Sequence, residues 1–263
     1  MIRITVIMGI YNCADTLVEA LDSLYAQTYQ NFKIVLCEDG SSDNTYEVAK
    51  AYADKHDNIK LVRNEKNKGL NITLNHCLEY ADTEYVARMD GDDLSKPDRF
   101  EKEIKFLDEH PEYAVVSTAM DYFDNHGVFM TGRGQGEIKK EHFLRGTPIC
   151  HAPCMARTKV VRAVGGYSVD EKLLRVEDYH LWFKVFAAGY KLYSMDEPLY
   201  QMRDDRNAVA RRTWKGYVNV FHVMRSGFKM IGLPWYYQFY SLRPIIIGLL
   251  PIWLYNQLHR RKK

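Results

Sequence analysis

The chain has 263 residues, 46% of them hydrophobic and 27% charged, with five cysteines. That length fits one large domain or two small ones, and the composition excludes a disordered, collagen-like or disulfide-stapled chain. The formal net charge is +2, but residues 203–263 carry 12 Lys and Arg against two acids, whereas residues 1–202 carry 24 against 32. An acidic body with a basic, aromatic tail makes nucleic acid or an anionic membrane surface the candidate partner of the tail.

In chain order, Ile2, Ile4 and Val6 alternate with Arg3 and Thr5 and predict a first strand. Leu17, Leu21 and Leu24 recur at helical spacing, with Thr16 and Glu19 placed as a capping box. Phe32 to Cys37 reads as a second strand, and a helix follows from about Asp43 to Lys55 with Val48, Ala49 and Tyr52 inward. Ile59 to Val62 is a third strand; Leu70, Leu74, Cys77, Leu78 and Ala81 mark a third helix; Tyr85 to Met89 is a fourth strand. Pro97 opens a helix lined by Phe100, Ile104 and Leu107. Strand and helix alternating at this spacing imply an α/β fold: a parallel sheet with helices on both faces.

The second half reads differently. Tyr113 to Thr118 is a strand, and Asp124-Asn125-His126-Gly127 a hairpin turn. Gly132, Gly134 and Gly136 lie in a polar stretch that reads as a mobile loop. Thr158 to Val164 is a short helix closed by Gly165-Gly166, and Glu177 to Ala188 a longer one closed by Gly189. Leu199 to Met202 is a final strand. The divisions are 1–110, 111–205 and 206–263, the first two sharing one body because no linker separates them.

Cys13, Cys37, Cys77, Cys150 and Cys154 are odd in number and form no CxxC. Cys150-His151 and Cys154 have ligand chemistry, but without a second Cys/His cluster they read as buried reduced thiols, which fits a reducing cytoplasm. Met1 to Gly9 is too short for a signal peptide, and no apolar run reaches spanning length.

Ligands of an open parallel sheet bind beyond the carboxyl ends of its strands. Tyr11 and Asn12 follow the first strand; Glu38, Asp39 and Gly40 the second; Asn64, Lys68 and Gly69 the third; Asp90-Gly91-Asp92-Asp93 the fourth. Three carboxylates in four residues repel one another and suit a hard divalent cation, Mg2+ or Mn2+. Asp93 is equally a helix cap. Asp39 either caps a helix or, if Ser42 or Asp43 does so, accepts a ligand N–H. Tyr11 either packs or stacks on a flat base. Glu177-Asp178 either complements a helix dipole or supplies a general base.

These segments together resemble an inverting glycosyltransferase of family 2 with the GT-A fold. The resemblance runs from Val6 to about Arg203 through Val6-Ile7-Met8-Gly9-Ile10-Tyr11-Asn12, Glu38-Asp39-Gly40-Ser41-Ser42-Asp43, Asn67-Lys68-Gly69, Asp90-Gly91-Asp92-Asp93, Pro97-Asp98-Arg99, Gly165-Gly166-Tyr167 and Glu177-Asp178. It implies a Rossmann-like, mostly parallel sheet, a nucleotide-sugar-binding half at 1–110 and an acceptor-binding half at 111–205. It implies Tyr11 on the base, Asp39 at uracil N3–H, and Lys68 and Gly69 on the nucleotide side. Asp90 and Asp92 resemble the DxD pair, with Asp92 the direct ligand of Mn2+ or Mg2+. Asp178 resembles the catalytic base, with Glu177, His151 and Arg203 on the acceptor side. The chain departs from the family where Met202-Arg203-Asp204-Asp205 replaces a Tyr-Arg-x-His pattern; the His is absent, and Asp205 is a candidate substitute for it. The implied partners are a nucleotide-sugar donor, with UDP favoured, and a lipid-linked saccharide or oligosaccharide acceptor of cell-surface polysaccharide synthesis. A sugar-phosphate nucleotidylyltransferase would need a Gly-rich basic loop after the first strand, which Gly9-Ile10-Tyr11-Asn12 does not supply. A degenerate, membrane-bound scaffold is the non-enzymatic alternative.

In the tail, Pro244 to Leu258 is an uncharged run of 15 residues with Pro251 inside it, followed by His259-Arg260-Arg261-Lys262-Lys263. Trp235, Tyr236, Tyr237, Tyr240 and Trp253 suit a headgroup region. Residues 230–263 therefore read as a helical, amphipathic segment lying on the inner face of the cell membrane. A helix packed on the body or in a homodimer is the other reading, and nucleic acid is disfavoured because the basic residues flank apolar runs instead of forming a groove.

Overall fold

The alternating periods of the sequence resolve into a single ten-stranded sheet in the computed structural model, which describes residues 2–204 and 213–250. The strands are β1 (Ile4–Ile10), β2 (Phe32–Glu38), β3 (Ile59–Arg63), β4 (Tyr85–Arg88), β5 (Leu94–Ser95), β6 (Tyr113–Asp124), β7 (Gly127–Thr131), β8 (Gly136–Glu137), β9 (Met155–Arg157) and β10 (Lys191–Arg203). The helices are α1 (Leu17–Tyr25), α2 (Thr45–Ala53), α3 (Leu70–Glu79), α4 (Arg99–Glu109), α5 (Thr158–Ala163), α6 (Glu177–Ala187), α7 (Trp214–Met230) and α8 (Arg243–Leu249).

The sheet order is β3-β2-β1-β4-β9-β6-β10-β5, with β7 beside β6 and β8 beside β10. The first four strands in this order are parallel, as are β6 and β10; β9 is antiparallel to both its neighbours. Successive side chains of a strand face opposite sides, so β1 serves two cores. Val6, Met8 and Ile10 pack with α1, α2 and α4, and Ile7 packs with α3, α5, α6 and α7. A sheet covered on both faces opens to solvent only at the strand ends, and the polar residues named above collect there.

Three expectations change. Thr16 and Glu19 form no capping box: the Thr16 hydroxyl donates to Gly91 O at 2.9 Å, and Glu19 pairs with Arg203 at 2.6 Å. The glycine stretch is not a free loop. Gly132 N–H donates to Met120 O at 2.7 Å, Gly134 N–H to Asp196 at 2.8 Å, and β8 pairs with β10. Gly134 runs so close to β10 that a Cβ there would lie 2.2 Å from Met195 O. The final strand begins at Lys191, eight residues before the expected Leu199.

The segment after Arg203 divides between the body and the surface. Val223, Met224, Phe228 and Ile231 are buried in the same core as Trp182 and Phe183, so α7 belongs to the body. Gly227 lets α7 approach α6 closely: a Cβ there would sit 2.3 Å from the Phe183 ring. The exposed aromatic surface begins at Trp235, which is 75% exposed, and continues through Tyr236, Phe239, Leu242, Ile246 and Leu249. No helix among the described residues is long and apolar enough to cross a membrane. Trp253, the basic end and Asp205 lie outside the described residues.

Candidate active site

The loops after β1 and β2 lock together. Asn12 adopts φ +48°, a conformation that Asn tolerates, and its Oδ1 accepts from Ser42 N–H at 2.9 Å. Asp43 accepts from Ala14 N–H at 3.2 Å and Thr45 N–H at 3.0 Å, which makes it the acid that closes the start of α2. These bonds hold the half-exposed Tyr11 ring at the opening.

Asp39 is thereby left to a different task. It is 3% exposed, and its carboxylate accepts from Asn64 Nδ2 at 2.8 Å, Lys68 N–H at 2.9 Å and Gly69 N–H at 2.9 Å. Three of a carboxylate's roughly four acceptor positions are thus filled from within the chain. Lys68 and Gly69 act through the backbone, and Gly69 at φ +91° needs glycine's conformational freedom to turn its N–H inward. Glu38 is fully buried, pairs with Arg63 at 2.7 Å and also accepts from Ser41 N–H.

Beyond β4, Asp90, Asp92 and Asp93 each offer a carboxylate oxygen, all within 4.8 Å of one another. Asp93 does not cap a helix: it is buried and accepts from Arg203 N–H at 2.8 Å. Burial, followed by the charges of Asp90 and Asp92, pushes its carboxyl up to about 8. Asp92 sits at the mouth, and its carboxyl is raised by the protein around its inner side and by Asp90. Such mutual repulsion is the state that a divalent cation relieves, so the donor set fits Mn2+ or Mg2+. Gly91 makes the turn possible, since a Cβ there would lie 2.8 Å from Cys13 Sγ.

A cavity of about 420 Å3 opens above these residues, and Tyr11, Asn12, Asp43, Asp90, Asp92 and Arg203 are among those that line it. Arg203 also lines this opening, and its Nε donates to Asp92 O at 3.0 Å. Asp39, Lys68 and Gly69 form the adjoining bonded loop and do not line this opening.

Glu177 and Asp178 open α6. Burial raises the Asp178 carboxyl, while the Tyr179 N–H, the Arg88 charge and a Thr147 hydroxyl bond oppose it; burial raises Glu177 as well. His151 bonds Tyr167 through Nε2 at 2.8 Å, and burial and then the Arg88 charge drive it well below the usual histidine range, so it is neutral. The Gly165-Gly166-Tyr167 motif is fastened to α3. Asn75 Nδ2 donates to Tyr167 O at 2.7 Å, its Oδ1 accepts from Tyr167 N–H at 2.8 Å, and Asn71 donates to Ser168 O at 3.0 Å.

Sequence reasoning missed Arg88, which lies between these groups. It is 5% exposed and grips Asp90 with both terminal nitrogens. Its Nε and the Trp182 Nε1 lack protein partners and border the same cavity of about 10 Å3, room for one water molecule. The available signal was a lone Arg ending an otherwise apolar buried strand.

The model of glycosyl transferase family 2 matches residues 5–165. The chain is 38% identical to the glycosyltransferase EpsE of Bacillus subtilis over 261 residues, covering 99% of this chain and 94% of that protein. It is 32% identical to the amylovoran biosynthesis glycosyltransferase AmsE of Erwinia amylovora, covering 81% of each. Its fold matches that of S. aureus TarS in complex with UDP-GlcNAc, with a TM-score of 0.70 at 19% identity over 94% of this chain and 71% of that one. It also matches the Pyrobaculum calidifontis mannosyltransferase PcManGT, in complex with GDP-Man and Mn2+, with a TM-score of 0.64 at 21% identity over 99% of this chain and 79% of that one. A mostly parallel sheet with its polar residues at the strand ends, a family match over most of the chain, and a relative aligned almost end to end lead to one assignment: the chain belongs to glycosyl transferase family 2 and is a glycosyltransferase of the GT-A fold.

Proposed function

We propose that the enzyme moves a sugar from a uridine diphosphate donor to a hydroxyl of a lipid-linked saccharide or oligosaccharide in cell-surface polysaccharide synthesis, inverting the anomeric centre. The observation that carries this reading is the 420 Å3 opening lined by Tyr11, Asp90, Asp92 and Arg203. Tyr11 packs on the base, and the Asp39 carboxylate, fixed by the Lys68 and Gly69 N–H groups, keeps one acceptor position for a base N–H. Asp178 takes the proton of the acceptor hydroxyl as that oxygen attacks the anomeric carbon from the face opposite the departing diphosphate. A raised carboxyl pKa makes Asp178 a stronger base than an exposed aspartate. Glu177 and His151 border the acceptor, and Arg203 adds positive charge on the diphosphate side. Mn2+ or Mg2+ held by Asp90 and Asp92 would supply charge neutralisation to the diphosphate.

The relatives favour this substrate class. A 24% identical Escherichia coli relative, WfaP, is named a UDP-Glc:alpha-D-GlcNAc-diphosphoundecaprenol glucosyltransferase. The test is a panel of nucleotide sugars with Mn2+ or Mg2+ and a polyprenyl diphosphate saccharide, reading released nucleotide diphosphate. Release only from UDP-sugars, lost in Asp92→Ala and in Asp178→Ala, is the expected result. No release from any donor favours a degenerate scaffold.

The exposed face formed by Trp235, Tyr236, Phe239, Ile246 and Leu249 lies, in this reading, on the cytoplasmic leaflet of the membrane. Flotation with anionic vesicles tests it. Loss of flotation in Trp235→Ser/Phe239→Ser supports it, and a wild-type homodimer that does not float replaces it with a protein contact.

A further inference from the structure

Arg88 and Asp90 make a contact that the reaction scheme above does not use. The guanidinium meets the carboxylate with two N–H donors, one at 2.5 Å, in the fork geometry that fixes a carboxylate's plane. The fork is held from behind. Arg88 N–H donates to Cys154 O at 2.9 Å, and Arg88 O accepts from Arg99 at 2.9 Å. Arg99 is itself fully buried and paired with Glu103. These bonds fix the Arg88 main chain at the junction of β4 and β9, and burial confines the side chain that reaches from it to Asp90.

Asp90 then has two claimants, Arg88 and the divalent cation of the reading above, on which this inference rests. A guanidinium and a dication sharing one carboxylate repel each other. At a partly buried site that repulsion outweighs the side-chain freedom that the fork removes from Asp90. We propose that Arg88 is a positioning residue that presents Asp90 in one orientation and keeps the site's affinity for free cation low, so that Mn2+ or Mg2+ enters together with the nucleotide diphosphate. The diphosphate restores the negative charge that Arg88 takes from the aspartate pair. Divalent cations of this kind are commonly held by one or two carboxylates plus substrate phosphate.

The experiment titrates Mn2+ into the full chain by electron paramagnetic resonance, with and without UDP, in wild type, Arg88→Met and Arg88→Lys. Wild type binds free Mn2+ weakly, and UDP tightens binding at least about tenfold. Arg88→Met binds nucleotide-free Mn2+ at least about tenfold more tightly than wild type, because one positive charge beside Asp90 is gone. Its transfer kcat falls about 100-fold, because Asp90 is no longer oriented. Arg88→Lys keeps the charge but not the fork: nucleotide-free Mn2+ affinity stays within about threefold of wild type while kcat falls at least about tenfold. A folded Arg88→Met with unchanged or weaker nucleotide-free Mn2+ affinity overturns the proposal. Should that variant not fold, Arg88→Lys with wild-type kcat overturns it. Wild-type Mn2+ binding that is indifferent to UDP instead refutes the donor-site reading, whatever Arg88 does.

Discussion

Glu103 offers a test of how the interior beneath the site is balanced. It lies one helical turn from Arg99 on α4; both side chains are fully buried, with Nε and Oε2 3.1 Å apart, and Glu103 Oε1 has no partner. Burial pushes the Glu103 carboxyl up to about 7, with Arg99 opposing. A carboxyl raised above its ordinary 4.5 binds its proton more tightly in the native protein than in the unfolded chain. Its stabilising contribution is therefore complete below about pH 4.5 and is lost as pH rises through about 7. The gap, converted at about 1.4 kcal/mol per pH unit, is about 3 kcal/mol. Glu103→Gln keeps the shape and cannot ionise, so the difference in unfolding free energy between variant and wild type should shift by about 3 kcal/mol in the variant's favour between pH 4.5 and pH 8. Every other carboxyl cancels in that difference. Urea denaturation of both proteins at matched ionic strength measures it, and parallel pH curves would refute a buried carboxyl held near neutrality.

Three further outcomes follow from the site and its supports. Asp178→Asn should lower kcat by about 100- to 10,000-fold without lowering the melting temperature. Because burial raises the Asp178 carboxyl, the acid limb of wild-type kcat/KM should lie above the ordinary aspartate range; a limb at or below that range speaks against Asp178 as the base. Asp39→Ala strips the partners from the Lys68 and Gly69 N–H groups and should weaken UDP binding at least about tenfold by calorimetry, whereas unchanged affinity would make Asp39 purely a loop support. Gly227→Val forces a side chain into the Phe183 ring and should cost about 1–3 kcal/mol or more in a thermal melt; a neutral effect would mean that α7 is not fixed against α6.

How much of the fold the sequence discloses depends on element length and periodicity. The first four sheet strands and their helices read correctly because each strand of four to seven residues is framed by helices of nine to eleven, and the period switches visibly between them. The three residues of β9 cannot display a period, although that strand joins the two halves of the sheet. The Gly132–Gly136 stretch reads as a loop because glycine signals chain freedom, yet Gly134 is there for close approach to β10. Val223, Met224, Phe228 and Ile231 form an apolar helix face, and such a face does not by itself distinguish a protein core from lipid.

The candidate site divides along the same line. Three acids within four residues at the end of a buried strand repel one another, and that cost makes Asp90 and Asp92 conspicuous in the bare sequence. A buried cation leaves a fainter mark: a single Arg ending an apolar strand also looks like the start of a solvated loop, and spacing is what separates the two. Residues two apart in an extended chain share a face, so Arg88-x-Asp90 at the end of an apolar strand brings the guanidinium to the carboxylate. Arg99, read only as part of Pro97-Asp98-Arg99, bonds the carbonyl of Arg88 and so joins that motif to the acidic one. The acids are thus legible one by one, whereas the charge that lets them coexist is legible only once the strands are aligned.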